Sequence, residues 1–264
     1  TMKSAVEKKA IPMSRVDDAV RRILRVKFEM GLFERPMANR KLASVVRSPE
    51  HLALAREAAR KSQVVLVNNA ALPIAAGTVY VAGTAADDIG KQCGGWTMTW
   101  QGESGKITAG TSILDGIREV AGKGRVKYVA NGKFATWDPK GTCVIVTGET
   151  PYAEGIGDNP KIEINPADAA LVTAARGKFA KVVLVVVSGR PLILGDLADK
   201  VDALVAAWLP GTEGAGVADI LFGKAAPTGK LSFAWPVSVD QLPLDRAISG
   251  EQKPLWPAGF GLSY

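Results

Sequence analysis

Two stretches of the chain carry residue types that could do chemistry. The first is Gly148-Glu-Thr-Pro-Tyr-Ala-Glu-Gly-Ile-Gly-Asp-Asn159, which follows the apolar run Cys143-Val-Ile-Val-Thr147. The run reads as a buried strand. Gly148, Gly155, Gly157 and Pro151 break regular structure after it. Glu149 and Glu154 therefore sit on a loop at the carboxyl end of a strand, the end where open α/β sheets bind ligands. A glutamate presented there suits general acid/base work; a solvated acidic turn has the same composition. The second stretch is Gly94-Gly-Trp-Thr-Met-Thr-Trp-Gln-Gly102. Indole faces stack on the apolar faces of sugar rings, and Gln101 could bond sugar hydroxyls. Trp100 and Trp96 are thus candidate substrate contacts, with burial as core plugs the competing reading. A tryptophan platform beside a loop glutamate is what a glycosidase needs. One carboxylic acid protonates the leaving oxygen while a second carboxylate attacks or activates water. The acid needs a raised pKa, set by burial once substrate closes the site.

Other chemistries find little support. The chain has one histidine, His51, and two cysteines, Cys93 and Cys143. These cannot build a structural zinc site, and a lone helical histidine makes Ser-His-Asp or Cys-His catalysis improbable. A disulfide between the two cysteines stays open. Gly83-Thr-Ala-Ala-Asp-Asp-Ile-Gly90 lacks the dinucleotide glycine pattern, and no phosphate-loop lysine follows a glycine run. Leu209-Pro-Gly-Thr-Glu-Gly-Ala-Gly216 either cradles an anion at a helix start or makes a tight, closely packed turn. No metal and no cofactor are expected.

The elements that must hold these loops can be read from periodicity. Ser14 is expected to cap a helix that Gly31 closes, and Ser48-Pro49 to open a second helix running to about Ser62. Strands are expected at 64–67, 79–82, 126–130, 143–147, 181–187 and 203–208. Helices are expected at 85–91, 111–120, 213–222 and, behind Asn165-Pro166, to about Arg176. Strands that are continuous Val/Leu runs, alternating with helices, predict an α/β fold: a mainly parallel sheet with helices on both faces, preceded by a helical segment. The expected division is a helical segment at 1–61 and an α/β sandwich at 62–264.

Composition narrows the function classes. Hydrophobic residues make up 47% of 264, enough for a substantial core. No apolar run approaches the ~20 residues that span a bilayer, so no membrane partner is expected. The start of the chain lacks the apolar stretch of a signal peptide and reads as mid-protein. Of the net charge of +7, residues 1–61 carry 15 Lys/Arg against 7 Asp/Glu, and the remainder is nearly balanced. A nucleic-acid arm is the less favoured reading, because the basic helices are amphipathic and carry no interleaved aromatics; basic faces toward water or an acidic partner surface are favoured.

Five ordered motifs resemble the C-terminal half of glycoside hydrolase family 3. They are Gln92-Cys-Gly-Gly-Trp-Thr-Met-Thr-Trp-Gln-Gly102; Gly148-Glu-Thr-Pro-Tyr-Ala-Glu154 with Gly157-Asp-Asn159; Ser188-Gly-Arg-Pro191; Ala206-Ala-Trp-Leu-Pro-Gly211 with Glu213-Gly214; and Phe260-Gly-Leu-Ser-Tyr264. The segment from Ile11 to Phe33 is similar to the one that closes the family's N-terminal barrel. The resemblance implies a retaining exo-acting β-glucosidase or β-glucanase. Its nucleophilic aspartate would lie on a (β/α)8 barrel domain that this chain does not contain, and its acid/base glutamate would be Glu154. It further implies that Glu149 supports the loop and that Trp100, with Trp96 a weaker match, clamps the sugar. The implied partners are a β-glucoside or β-glucan oligosaccharide and the barrel; the implied compartment is periplasmic or secreted. A non-catalytic carbohydrate-binding or scaffold domain is the alternative.

Overall fold

The computed structural model describes residues 1–243 and 253–264. It forms two compact units, residues 1–51 and 52–264. The first contains α1 (Met2–Glu7), α2 (Met13–Glu29) and a 3-10 turn at Arg40–Val45. Helix α2 starts one residue before the expected Ser14 cap. Pro12, extended at φ −71° and ψ 146°, is its N-cap and makes no side-chain capping bond. Proline pre-sets the backbone for entry into a helix, so Ser14 falls inside the first turn. Helix α3 (Pro49–Ser62) begins where the Ser48-Pro49 pair places it, with the His51 amide donating to Ser48 Oγ at 3.4 Å.

The second unit is one six-stranded sheet. Its strands are β1 (Val64–Asn68), β2 (Val79–Ala82), β3 (Val126–Tyr128), β4 (Thr142–Gly148), β5 (Lys181–Val187) and β6 (Ala203–Trp208), in the order β1-β6-β5-β4-β2-β3. All pairs are parallel except β1 with β6, which is antiparallel. Strand alternation divides the apolar residues between two cores. Val144, Val146, Val183, Val185 and Val205 face one, with Ile113, Leu114 and Ile117 of α5 (Ile113–Ala121) and Val217, Ile220 and Leu221 of α7 (Gly214–Leu221). Cys143, Ile145, Val182, Leu184 and Leu204 face the other, with Val172 and Ala175 of α6 (Pro166–Arg176). Helices thus cover both faces of a mainly parallel sheet.

One helix boundary differs from the sequence expectation, one open alternative is decided, and the end of the chain has a buried anchor. The helix expected at 85–91 is α4 (Ile89–Cys93), because Asp88 caps it: its Oδ1 accepts from the amides of Lys91 at 2.8 Å and Gly105 at 2.7 Å. The glycine-rich turn 209–216 is a packing turn and not an anion cradle. Its amides are committed internally, Gly211 to Gln92 O and Gly214 to Thr111 O, both at 2.9 Å. A Cβ on Gly214 would meet the Ile113 nitrogen at 2.5 Å, so glycine is needed there. The proline-rich end is anchored by fully buried Trp235, whose indole N–H donates to Leu192 O at 2.9 Å.

The carboxyl ends of β2, β4, β5 and β6 share one edge of the sheet, and the loops that leave it carry both chemically interesting stretches.

Candidate functional site

Strand β4 ends at Gly148, and the residues that follow arch away from the sheet before returning at α6. The start of this arch is tied to β5, with the Glu149 amide donating to Val187 O at 3.1 Å. The tryptophan loop leaves α4 and folds against the arch. A Cβ on Gly95 would collide with the carbonyl oxygen of Tyr152, so this close approach requires glycine.

Three bonds join the two loops. Gln101 Oε1 accepts from the Ala153 amide at 2.8 Å, and Gln101 Nε2 donates to Glu154 O at 3.2 Å. The indole N–H of Trp100 donates to Glu154 Oε2 at 2.7 Å. The structure therefore brings Trp100 and Glu154 into direct contact. Trp96 stands beside Trp100, with ring centroids 6.4 Å apart, and its amide donates to Trp100 O at 2.9 Å. Gln101, read from sequence as a contact for sugar hydroxyls, has its amide occupied by the backbone on either side of Glu154; it positions the loop.

Neither tryptophan is a core plug. Trp96 is 70% exposed and Trp100 55% exposed, and Met98 between them is 74% exposed. The hairpin that displays them holds two non-glycine residues in the left-handed region, Trp96 at φ 60° and Met98 at φ 64°. Such conformations cost on the order of 1–3 kcal/mol each and persist only where surrounding contacts impose them. Here they turn three large apolar side chains outward.

Glu154 is fully exposed, and its carboxyl is held below the ordinary glutamate value. The Trp100 bond is the largest cause, followed by the loop's own backbone amide, with a smaller part from the Trp96 indole. Charged-form hydrogen bonding outweighs the slight desolvation. The sequence reading asks for a raised acid only once substrate buries it; in the open site desolvation is slight and the indole bond prevails. Glu149 is built differently. Its side chain is 15% exposed, pairs with Arg190 at 2.9 Å and accepts from the Tyr152 hydroxyl at 3.2 Å. Glu149 is a tether within the loop.

Sequence reading missed Arg190 and Gln92. Gln92 is buried and links three segments: Nε2 donates to Gly211 O at 2.9 Å and Thr111 O at 3.2 Å, and Oε1 accepts from the Ile113 amide at 2.8 Å. Both lie inside the quoted motifs, a signal that marks them without giving a role. Cys93 and Cys143 are free thiols on separate elements. Among the described residues, no group of three or more His, Cys, Asp or Glu is placed to hold a metal ion, and no helix is long and apolar enough to cross a membrane.

Comparison with known proteins places the chain as a whole. Residues 63–264 match the family model described as the glycosyl hydrolase family 3 C-terminal domain. The chain is 32% identical over 284 residues to a lysosomal beta glucosidase of Dictyostelium discoideum, covering 96% of this chain and 35% of that protein. It is 29% identical over 317 residues to a periplasmic beta-glucosidase of Salmonella typhimurium, covering 96% and 41%. Among solved structures, it superposes with TM-score 0.84 at 36% identity on the exo-1,3/1,4-beta-glucanase of a Pseudoalteromonas species, covering 98% of this chain and 35% of that one. It superposes with TM-score 0.81 at 26% identity on a beta-glucosidase from Listeria innocua in complex with glucose, covering 100% and 40%. The chain thus spans well under half the length of these relatives. With the family model matching residues 63–264 and the fold shared with these structures, the chain belongs to the glycosyl hydrolase family 3 C-terminal domain family.

Proposed function

We propose that this chain is the acid/base half of a retaining, exo-acting β-glucosidase or β-glucanase that releases glucose from non-reducing ends. Glu154 is the general acid/base, Trp100 with Trp96 forms the sugar platform, and the nucleophilic aspartate comes from a (β/α)8 barrel domain. Residues 1–61 are then the end of that barrel domain and its linker, and residues 62–264 the sandwich domain. The single observation that carries this reading is the contact between the Trp100 indole and the Glu154 carboxylate on an exposed edge. Glutamate is ionised near neutral pH, and the indole bond keeps it so in the open site. Acid catalysis needs the proton. A sugar seated on the exposed indoles would cover the carboxylate, and desolvation raises a carboxyl pKa. The second carboxyl of a retaining pair lies about 5–5.5 Å from the first. Glu149, the loop's other glutamate, is engaged by Arg190 and Tyr152, so the partner must come from elsewhere. The relative named as periplasmic supports a periplasmic or secreted compartment for the whole protein.

The test is hydrolysis of 4-nitrophenyl β-glucoside by this chain with and without a separately expressed barrel. Activity only on mixing is expected. Glu154→Gln in the mixture should lower turnover of poor-leaving-group glucosides by about 100- to 10,000-fold. Full activity of that variant would refute the assignment. Quenching of tryptophan fluorescence by glucosides, with no hydrolysis in any mixture, would favour a carbohydrate-binding domain instead.

A further inference from the structure

Glu154 lies exposed on its loop, and Trp100 is the principal side chain bonded to its carboxylate. What fixes the loop is a cation contributed by the neighbouring strand. Arg190 follows β5 and is seated by its own backbone, its carbonyl accepting from Ser188 Oγ at 2.7 Å. Its guanidinium makes three contacts at once. Nε donates to Glu149 Oε1 at 2.9 Å, Nη1 donates to Gly157 O at 2.7 Å, and Cζ lies 4.4 Å over the Tyr152 ring. Tyr152 closes the circuit, its hydroxyl donating to Glu149 Oε2 at 3.2 Å. Burial, then the Glu149 charge, pushes that hydroxyl up to about 12, so it remains a neutral donor at physiological pH.

We propose that Arg190 is the positioning residue of the acid/base loop, joining its first residue, Glu149, to Gly157 near its end so that Glu154 is held within reach of Trp100. This rests on the reading of Glu154 given above, and the geometry is independent of it. A chain segment bound at both ends has far fewer conformations to sample than one bound at its root. Without the guanidinium, the far limb keeps only short-range turn bonds such as Gly157 N–H to Ala153 O at 2.8 Å, and the Glu154 segment keeps only its bonds to Gln101 and Trp100. Only a planar fork serves here. A lysine ammonium can meet the Glu149 carboxylate or the Gly157 carbonyl but cannot span both and stack on Tyr152. The role is therefore geometric and not a matter of charge.

The experiment uses this chain as it is. The indole N–H resonance of Trp100, assigned by its loss in Trp100→Phe, is followed through a pH titration, where it reports ionisation of Glu154. In the parent chain it should titrate with a midpoint below that of ordinary glutamate. In Arg190→Met the pH-dependent displacement should fall by at least about half, and amide exchange over 150–156 should rise about tenfold as the segment opens locally. Arg190→Lys should behave like Arg190→Met despite its charge. An undiminished titration with unchanged exchange in both variants would overturn the proposal, as would full rescue by lysine. If Arg190→Met fails to fold, Glu149→Ala carries the same test, since it removes the acceptor at one end of the clamp and leaves Gly157 in place; a parental titration in that variant would overturn the proposal too. None of these readouts involves hydrolysis. A fully active Glu154→Gln enzyme would remove the catalytic reading and leave the clamp standing.

Discussion

Trp100 and Glu154 are 54 residues apart in sequence and share a 2.7 Å hydrogen bond from indole nitrogen to carboxylate oxygen. The bond couples the platform that would receive a sugar to the group that would protonate its leaving oxygen. A ring laid on the indole would also cover the carboxylate and change its surroundings. The coupling also fixes the resting state: an ionised carboxylate, because an indole N–H only donates.

Replacing Trp100 with Phe tests that coupling. Phenylalanine keeps an aromatic face and removes the donor. The indole bond is the largest cause of the low Glu154 value, so the carboxyl should titrate higher in Trp100→Phe. The sign follows from linkage: a group whose folded pKa is depressed favours the folded form above its unfolded value, and loses that contribution as pH falls through the folded value. Carbon-13 titration of the Glu154 carboxyl should show the upward move. A midpoint unchanged from the parent would mean that the backbone, and not the indole, sets it.

The Gly95 position offers a steric test of the same contact. An added Cβ would meet the Tyr152 carbonyl, a backbone group that cannot swing aside. Gly95→Ala should push the tryptophan loop off the acid/base loop, with a loss of about 1–3 kcal/mol typical of overpacking. The sheet should remain, so circular dichroism should be unchanged at low temperature while Trp100 loses its pH response. A melting point within a degree or so of the parent would show that the loops accommodate the methyl group.

Much of this architecture is legible in the sequence for physical reasons. Strands such as β5 are unbroken apolar runs, here residues 182–187 after the leading Lys181, because both faces are covered. The Asn165-Pro166 pair marks the start of α6 because an asparagine oxygen and a proline ring both favour that entry; Asn165 Oδ1 accepts from the Ala167 amide at 2.9 Å. The antiparallel pairing of β1 is not legible, since Val64-Val-Leu-Val67 would read the same in either direction. The site is legible in residue type but not in partnership. Glu154, Trp100 and Trp96 stand out by type and fall together in the structure, where they carry the proposed sugar-binding and acid/base roles. Nothing in spacing says that Gln101 grips Ala153 or that Arg190 spans the loop, because those bonds join residues 33 to 52 apart.

The two thiols should differ in chemistry. Burial pushes Cys143 up to about 12, and raises Cys93 as well. The thiolate is the reactive form, and Cys143 lies within β4 among the core residues. In native protein Cys143 should resist iodoacetamide and Cys93 should react slowly; denaturant should make both titrate. Intact mass should not change on reduction. A two-dalton increase with reductant would show a disulfide that this arrangement of free cysteines does not contain.

Asp219 gives the largest expected loss of stability away from the site. Its carboxylate is 4% exposed and receives two hydrogen bonds from Arg56, Nε and Nη2 each at 2.7 Å, with Arg60 at 3.7 Å. Arg56 is raised above its ordinary value chiefly by the Asp219 bond, so it stays charged throughout the accessible range. Asp219 sits on α7 and Arg56 on α3, and the pair joins the two helices beside Gly216, whose missing side chain lets α7 approach Ala59. Breaking a buried pair by removing one partner leaves the other charge poorly compensated, at a cost of about 3–5 kcal/mol. Arg56 retains partial exposure and a bond to Glu119 at 3.2 Å, so the lower end of that range applies to Asp219→Ala. At about 2–4 °C per kcal/mol for a chain of this size, the melting point should fall by roughly 6–12 °C. Arg56→Met should cost more than Asp219→Ala, because it leaves the more deeply buried member of the pair without its bidentate partner. Equal melting points for these variants and the parent would show that helix packing, and not the ion pair, holds α3 to α7.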